Sequence, residues 1–260
     1  MTTVIVPLDF SETSFNAAHF AAGMFSQRPS TTLILYHFYS SHEDVTTAMN
    51  FLNSLKDELA DKGLNVEIEL ETGDNFIDRL SAFAHVKRAY MIVMGLTGKT
   101  PMIQRFSGSN TLKMAEKNVC PVLIVPEHAR YKGIDNILIA SEMKYVEETP
   151  VLLAVKRVLA DFKPSLHILN VDASHYISLT ENFKEERDKM EALLSEFNPE
   201  FYFMRLFDFH ESINLFSRDK NIDMIIMSPK NHSFYEKLFK TQHTKAVIYQ
   251  SQVPVLAIHE

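Results

Sequence analysis

Val4-Ile-Val-Pro-Leu-Asp9 and Ile137-Leu-Ile-Ala-Ser-Glu142 are one phrase written twice, 133 residues apart. Each is a short apolar run that ends on an acid. The same offset brings Leu33-Ile-Leu-Tyr-His-Phe38 onto Leu166-His-Ile-Leu-Asn-Val171, and Ile92-Val-Met94 onto Ile225-Ile-Met227. It also brings Pro121-Val-Leu-Ile-Val125 onto Pro254-Val-Leu-Ala-Ile258. One such match can be chance, but four at a single spacing mark a duplication. Its boundary falls near Arg130-Tyr-Lys-Gly133, which gives domains at 1–130 and 131–260.

The apolar runs predict strands at 3–8, 32–38, 65–71, 89–94 and 121–126 in the first copy. In the second they fall at 136–140, 165–171, 200–207, 222–227 and 253–258. Helical patterns fill the gaps, near 12–27, 43–62, 75–87 and 109–118 in the first copy. Asn16, Ala17, Phe20, Ala21 and Met24 recur at helical spacing. Thr149-Pro150 is an N-cap followed by proline at the first helical position. Strands that are apolar on consecutive positions are buried on both faces, as in a parallel sheet covered by helices. The expected class is α/β, with two tandem five-stranded parallel-sheet domains and right-handed crossovers.

Composition narrows the function. The 260 residues are 46% hydrophobic and 23% charged, values of a chain with real cores rather than a disordered one. No apolar run reaches the roughly 18 to 20 residues of a membrane helix. The start, Met1-Thr-Thr-Val-Ile-Val-Pro7, reads as a strand and not a signal peptide. The single cysteine, Cys120, excludes a disulfide framework and fits a reducing cytoplasm, and it is expected to be a small core residue. Net charge is -7, shared between the halves, so neither carries the basic surplus that nucleic acid or an anionic membrane favours. The histidines show no metal-ligand spacing, and no G-x-S-x-G elbow is present.

The glycines are the sharpest signal. There are seven, and none follows Gly133. Gly95-Leu-Thr-Gly98, nine residues, then Gly108-Ser109-Asn110-Thr111 follows an apolar strand and opens a helix. Gly95 is expected to turn the chain off the strand. Gly98 and Gly108 would let backbone N–H groups approach an anion with no Cβ in the way. Ser109 or Asn110 would cap the helix, whose N-terminal N–H groups attract negative oxygens. Gly98-Lys99-Thr100 imitates the end of a P-loop, but that motif needs a glycine where Val93 stands.

A strand ending in Pro7-Leu-Asp-Phe-Ser11, a later G-x2-G-x9-G-S and a final Pro121-Val-Leu-Ile-Val-Pro126 strand resemble the universal stress protein family, in a tandem, two-domain form. The resemblance implies sheets of order 3-2-1-4-5 and a cytoplasmic protein. It also implies an adenine nucleotide (ATP, or ADP or AMP, with or without Mg²⁺) across the carboxyl ends of the first and fourth strands, where strand order reverses. By the same carry-over, Pro7, Leu8 and Asp9 hold adenine or ribose and Phe38 contacts the base. Met94, Gly95 and Gly98 form the phosphate-side loop, and Gly108, Ser109, Asn110 and Thr111 wrap the phosphates. Lys99 and Arg105 supply charge outside the family pattern.

The second copy departs from this pattern. Gly95, Gly98, Gly108 and Ser109 become Ser228, Asn231, Thr241 and Gln242, Asp9 becomes Glu142, and Pro229 removes a backbone donor. No nucleotide site is expected there. The last strands, 121–126 and 253–258, lie at sheet edges, which invites their pairing about a pseudo-two-fold axis. A further homodimer is also expected. No residue set supplies a catalytic base with a positioned water, so rapid turnover is not expected. Slow ATP hydrolysis or autophosphorylation stays open, with Ser109 and Thr111 the nearest acceptors. The expected function is a nucleotide-dependent stress-response regulator. The alternative is an interaction or small-ligand module of the same fold.

Overall fold

The computed structural model describes residues 2–28, 30–39, 45–96, 107–117, 119–141, 143, 146–147, 149–171, 181–204, 209–227 and 251–258. The chain forms two compact units, Met1–Lys132 and Gly133–Glu260.

In the first unit, strands β1 (Thr2–Leu8), β2 (Thr31–Tyr39), β3 (Asn65–Thr72), β4 (Met91–Leu96) and β5 (Val122–Pro126) alternate with helices. The helices are α1 (Glu12–Phe25), α2 (Val45–Ala60), α3 (Phe76–Val86) and α4 (Ser107–Ala115). The strands lie in the order β3-β2-β1-β4-β5, every pairing parallel. Val4, Ile5, Val6, Met91, Ile92 and Val93 are wholly buried. That is what consecutive apolar positions require when helices cover both faces. Alanines 17, 18, 21 and 22 of α1 are buried as well, so the helix lies close to the sheet.

The second unit repeats the scheme with β6 (Asn136–Ala140), β7 (Ser165–Val171), β8 (Glu200–Met204), β9 (Met224–Met227) and β10 (Val255–Ala257). Its helices among the described residues are α5 (Pro150–Phe162), α6 (Glu181–Leu194) and α7 (Phe209–Asp219). Its strand order, β8-β7-β6-β9-β10, is again 3-2-1-4-5. Thr149 caps α5 by accepting from Leu152 N at 3.3 Å, with Pro150 behind it, as its sequence predicts.

The duplication reaches the backbone torsions. Phe10 and Met143, 133 positions apart, both hold positive φ, and so do Arg88 and Asn221. Tyr90 N donates to Thr3 O at 2.7 Å, and Asp223 N donates to Asn136 O at 2.9 Å. Ile92 N to Pro121 O and Ile225 N to Pro254 O are both 2.9 Å. A side chain near the end of the second strand of each unit holds a carbonyl at or just past the end of the first. His37 Nδ1 donates to Leu8 O at 2.8 Å, and Asn170 Nδ2 donates to Ser141 O at 3.1 Å.

Three expectations need correction. β4 runs through Gly95 to Leu96, so Gly95 pairs with Val125 inside the sheet instead of turning off it. α4 begins at Ser107, so Ser109 and Asn110 lie in its first turn and do not cap it. Cys120 is only half-buried, though burial still pushes its thiol up to about 12. No helix among the described residues is long and apolar enough to cross a membrane.

Candidate functional site

The carboxyl ends of β1, β2 and β4 share one rim with the first turns of α1, α3 and α4, because every crossover of a parallel sheet returns to the same end. A hollow of about 200 Å³ opens there. Pro7, Leu8 and Asp9 form the β1 side, Phe38 the β2 side, Met94 and Gly95 the β4 side, and Asn110 and Thr111 the α4 side. Thr13, Ser14 and Phe76 complete the lining. Gly108 and Ser109 belong to the first turn of α4. Gly98, Lys99 and Arg105 lie outside the described residues. So do Glu142, Ser228, Pro229, Asn231, Thr241 and Gln242, on which the expected loss of a second site turns.

The first connection is held tightly. Asp9 Oδ1 accepts from Ser11 N at 3.1 Å and from Ser11 Oγ at 2.5 Å. Ser11 Oγ in turn accepts from Ser14 N at 3.2 Å and is the N-cap of α1. Its proton is committed to Asp9, so the Thr13 hydroxyl, 3.0 Å away, is the donor in the Ser11–Thr13 contact. Asp9 Oδ2 has no hydrogen bond among the described residues, and the side chain is exposed. Thus Asp9 both fastens the turn and presents one oxygen to the rim. Between them Phe10 sits at φ 60, a left-handed conformation that costs an aromatic residue about 1 kcal/mol or more. Its ring lies 4.5 Å from that of His37 and 5.6 Å from that of Phe51.

Gly95 is a glycine for a reason the sequence does not show. A Cβ placed on it would sit 2.3 Å from the Thr13 carbonyl oxygen and 2.6 Å from its carbon. α1 therefore starts against the bare backbone of β4. On the other side Thr111 Oγ1 donates to Gly95 O at 2.9 Å, in a fully buried position. The Thr111 hydroxyl fastens α4 to β4.

The hollow has two chemical ends. Phe38 and Phe76 meet edge to face, 5.8 Å apart at 63°, and with Pro7 and Leu8 make an apolar wall. Opposite stands the amino-terminal turn of α4, whose unpaired N–H groups and positive dipole end favour an anion. Asp9 is the one charged side chain lining the hollow among the described residues. No group of three metal-ligating side chains occurs among the described residues. A Mg²⁺ ion would depend on Asp9, phosphate oxygens and water, an arrangement this ion accepts.

Sequence reasoning misses Thr13, Ser14 and Phe76. The signal for Phe76 is its place directly after Asn75, whose Oδ1 caps α3 by accepting from Ile77 N and Asp78 N. A residue that opens a helix after a parallel strand must lie on the ligand rim. The same rule reaches Thr13 and Ser14, in the first turn of α1.

Residues 1–126 match the model of the universal stress protein family. Among curated proteins, none matches the chain in sequence. A universal stress protein from Archaeoglobus fulgidus is similar in structure, with TM-score 0.73 and 16% identity, over 99% of this chain and 96% of its own. A functionally unknown protein from Pseudomonas aeruginosa gives TM-score 0.67 and 15% identity, over 100% of this chain and 92% of its own. A universal stress protein solved in complex with cAMP gives TM-score 0.39 and 22% identity, over 48% of this chain and 96% of its own. By this match residues 1–126 are a universal stress protein domain, and the chain shares along its length the fold of the Archaeoglobus fulgidus universal stress protein.

Proposed function

We propose that the hollow binds an adenine nucleotide, ATP or its diphosphate or monophosphate, and that the chain is a cytoplasmic, nucleotide-dependent stress-response regulator. One observation carries this reading. Residues that the motif scatters from Pro7 to Thr111 line a single hollow, apolar at one end and facing a helix amino terminus at the other. The base lies against Phe38 and Phe76, the ribose near Asp9, and the phosphates toward α4 and Gly108. At about 200 Å³ the hollow is smaller than the roughly 300 Å³ at which drug-sized sites begin. It suits a nucleoside head whose phosphates stay outside, against the helix.

In this reading the residues lining the hollow bind and orient the nucleotide, with Asp9 on the ribose. Thr111, buried with its hydroxyl on Gly95 O, is a poor acceptor for autophosphorylation, which leaves Ser109. Nucleotide binding would act by shifting the population of partner-competent states. Pairing of the terminal strands of the two units, and homodimer formation, belong to the same reading.

The test is mass spectrometry of small molecules retained on purification, with calorimetric titration of ATP, ADP and AMP. One site per chain, lost in Gly108→Phe, is expected. No retained nucleotide and no melting shift at saturating Mg-ATP would refute the reading and leave an interaction module of this fold.

A further inference from the structure

The two units treat the start of their first helical connection differently. In the first, Thr13 borders the open hollow. In the second, where the connection before the N-cap Thr149 is longer, Val146 lies ahead of α5, buried at 6% exposure, and its N–H donates to Oε2 of Glu186. Glu186 comes from α6 and is itself only 6% exposed. Its other oxygen, Oε1, accepts from Lys189 Nζ at 2.6 Å, one turn along the same helix. A buried carboxylate is tolerated when both oxygens are engaged by donors, and here an amide and an ammonium engage them. Lys189 responds in kind: the hydrogen bond to Glu186 holds its ammonium above the usual lysine range. In the first unit α2 does nothing comparable among the described residues. Its carboxylates, Asp57 and Glu58, lie near its end, Glu58 3.7 Å from His19. Phe51 of α2 meets Phe10 instead, with its ring half in water.

We propose that the Val146 N–H and Lys189 form a site for a small carboxylate or oxyanion, and that the chain fills this site itself with Glu186. The second unit thus carries its anion covalently. Val146 is held in place whether or not any ligand is present, whereas the rim in the first unit is open to one. The occupant is an internal carboxylate on a hydrogen-bonding amide, the chemistry by which an amide would greet a phosphate or formate. A unit built this way is a fixed partner to a responsive one.

The test is chemical rescue in the full chain. Glu186→Ala removes the carboxylate and leaves its donors, and sodium formate is the probe, with sodium chloride at equal ionic strength as control. Amide exchange at Val146 should accelerate about tenfold or more, the worth of a charged hydrogen bond. The melting midpoint should fall, and formate should restore both in a saturable way while chloride does not. Glu186→Gln, which preserves shape and an acceptor, should show intermediate exchange at Val146 and a lower Lys189 pKa by NMR. Unchanged Val146 exchange in Glu186→Ala, or recovery equal in formate and chloride, would overturn the proposal. If Glu186→Ala does not fold, an unshifted Lys189 in Glu186→Gln would do the same. No nucleotide enters these readouts, so they stand or fall apart from the function proposed for the first unit.

Discussion

Gly95→Ala separates packing from ligand binding at the position where the motif invites only the second. The added Cβ would stand 2.3 Å from Thr13 O, 2.6 Å from its carbonyl carbon and 3.0 Å from its Cβ. A carbon and a carbonyl oxygen rest at about 3.3 Å or more, so the two backbones must part by about 1 Å. Neither side can yield by a rotamer change, since β4 is hydrogen-bonded to β5 through Gly95 itself and the obstacle is main chain. α4 resists movement of the strand as well, because Thr111 holds Gly95 O from the other side. Overpacking typically costs about 1–3 kcal/mol, and backbone against backbone puts this case at about 3. For a chain of this size that is about 10 °C in melting midpoint. The assay is urea and thermal unfolding of nucleotide-free protein. Gly95→Ala should unfold earlier with no ligand in the tube, and Thr111→Val, which loses the tether, should fall about 1 kcal/mol in the same direction. If Gly95→Ala matches the parent in urea and only loses nucleotide, the glycine serves the ligand and the packing argument is wrong.

Phe76→Ala should weaken adenine nucleotide binding about tenfold by calorimetry, the worth of one base against one aromatic ring; an unchanged Kd would remove Phe76 from the site. Ser11→Ala strips the cap from α1 and should cost about 1 kcal/mol, read as a lower urea midpoint. Stability should also depend on pH through His167. This residue is buried, its Nδ1 has no hydrogen bond among the described residues, and Glu200 Oε2 is 3.6 Å away. Burial, outweighing the pull of Glu200, holds the imidazole below the usual histidine range, with Lys220 acting in the same sense. The unfolded chain therefore takes this proton more readily than the folded one. Stability present above about pH 6.5 is lost as pH falls through that value toward the folded pKa. His167→Gln should flatten the slope of melting midpoint between pH 7 and pH 5, and an identical slope would exclude His167 as its source.

How much of this was legible in the sequence depends on what sets each feature. Strand positions and the duplication were readable because a strand buried on both faces cannot hide its composition; Val4, Ile5 and Val6 have no alternative environment. The sheet order followed from the family resemblance and holds in both units. The ends of β4 and α4 depart from the sequence expectation because glycine and serine serve packing as readily as punctuation. A glycine forced by a neighbouring helix looks the same in sequence as one that turns the chain. The lining residues Thr13, Ser14 and Phe76 carry no motif, since their placement is decided by where α1 and α3 begin. The left-handed Phe10 was beyond local reasoning, because nothing in an aromatic side chain announces positive φ; the turn from β1 into α1 imposes it, and Met143 obeys the same demand.

That shared demand explains which features of a duplicated chain stay alike and which drift. The positive φ at Phe10 and Met143, and the carbonyl of Leu8 or Ser141 held from the neighbouring strand, serve the chain's own path from strand to helix. Both copies must keep them to fold. Phe38 has become Val171 without disturbing the pairing of β7 with β6 or β8. An aromatic wall is therefore not a requirement of the fold. Where the first unit keeps an open rim and the second ties Val146 of its first connection to Glu186, the difference lies in what each rim must hold, since the scaffold accepts either. A transplant makes this concrete. Val171→Phe in the second unit should leave its urea midpoint within about 1 kcal/mol of the parent, the range of a tolerated change at a strand end. A collapse of the second unit would mean that the scaffold itself, and not the ligand, had selected that residue.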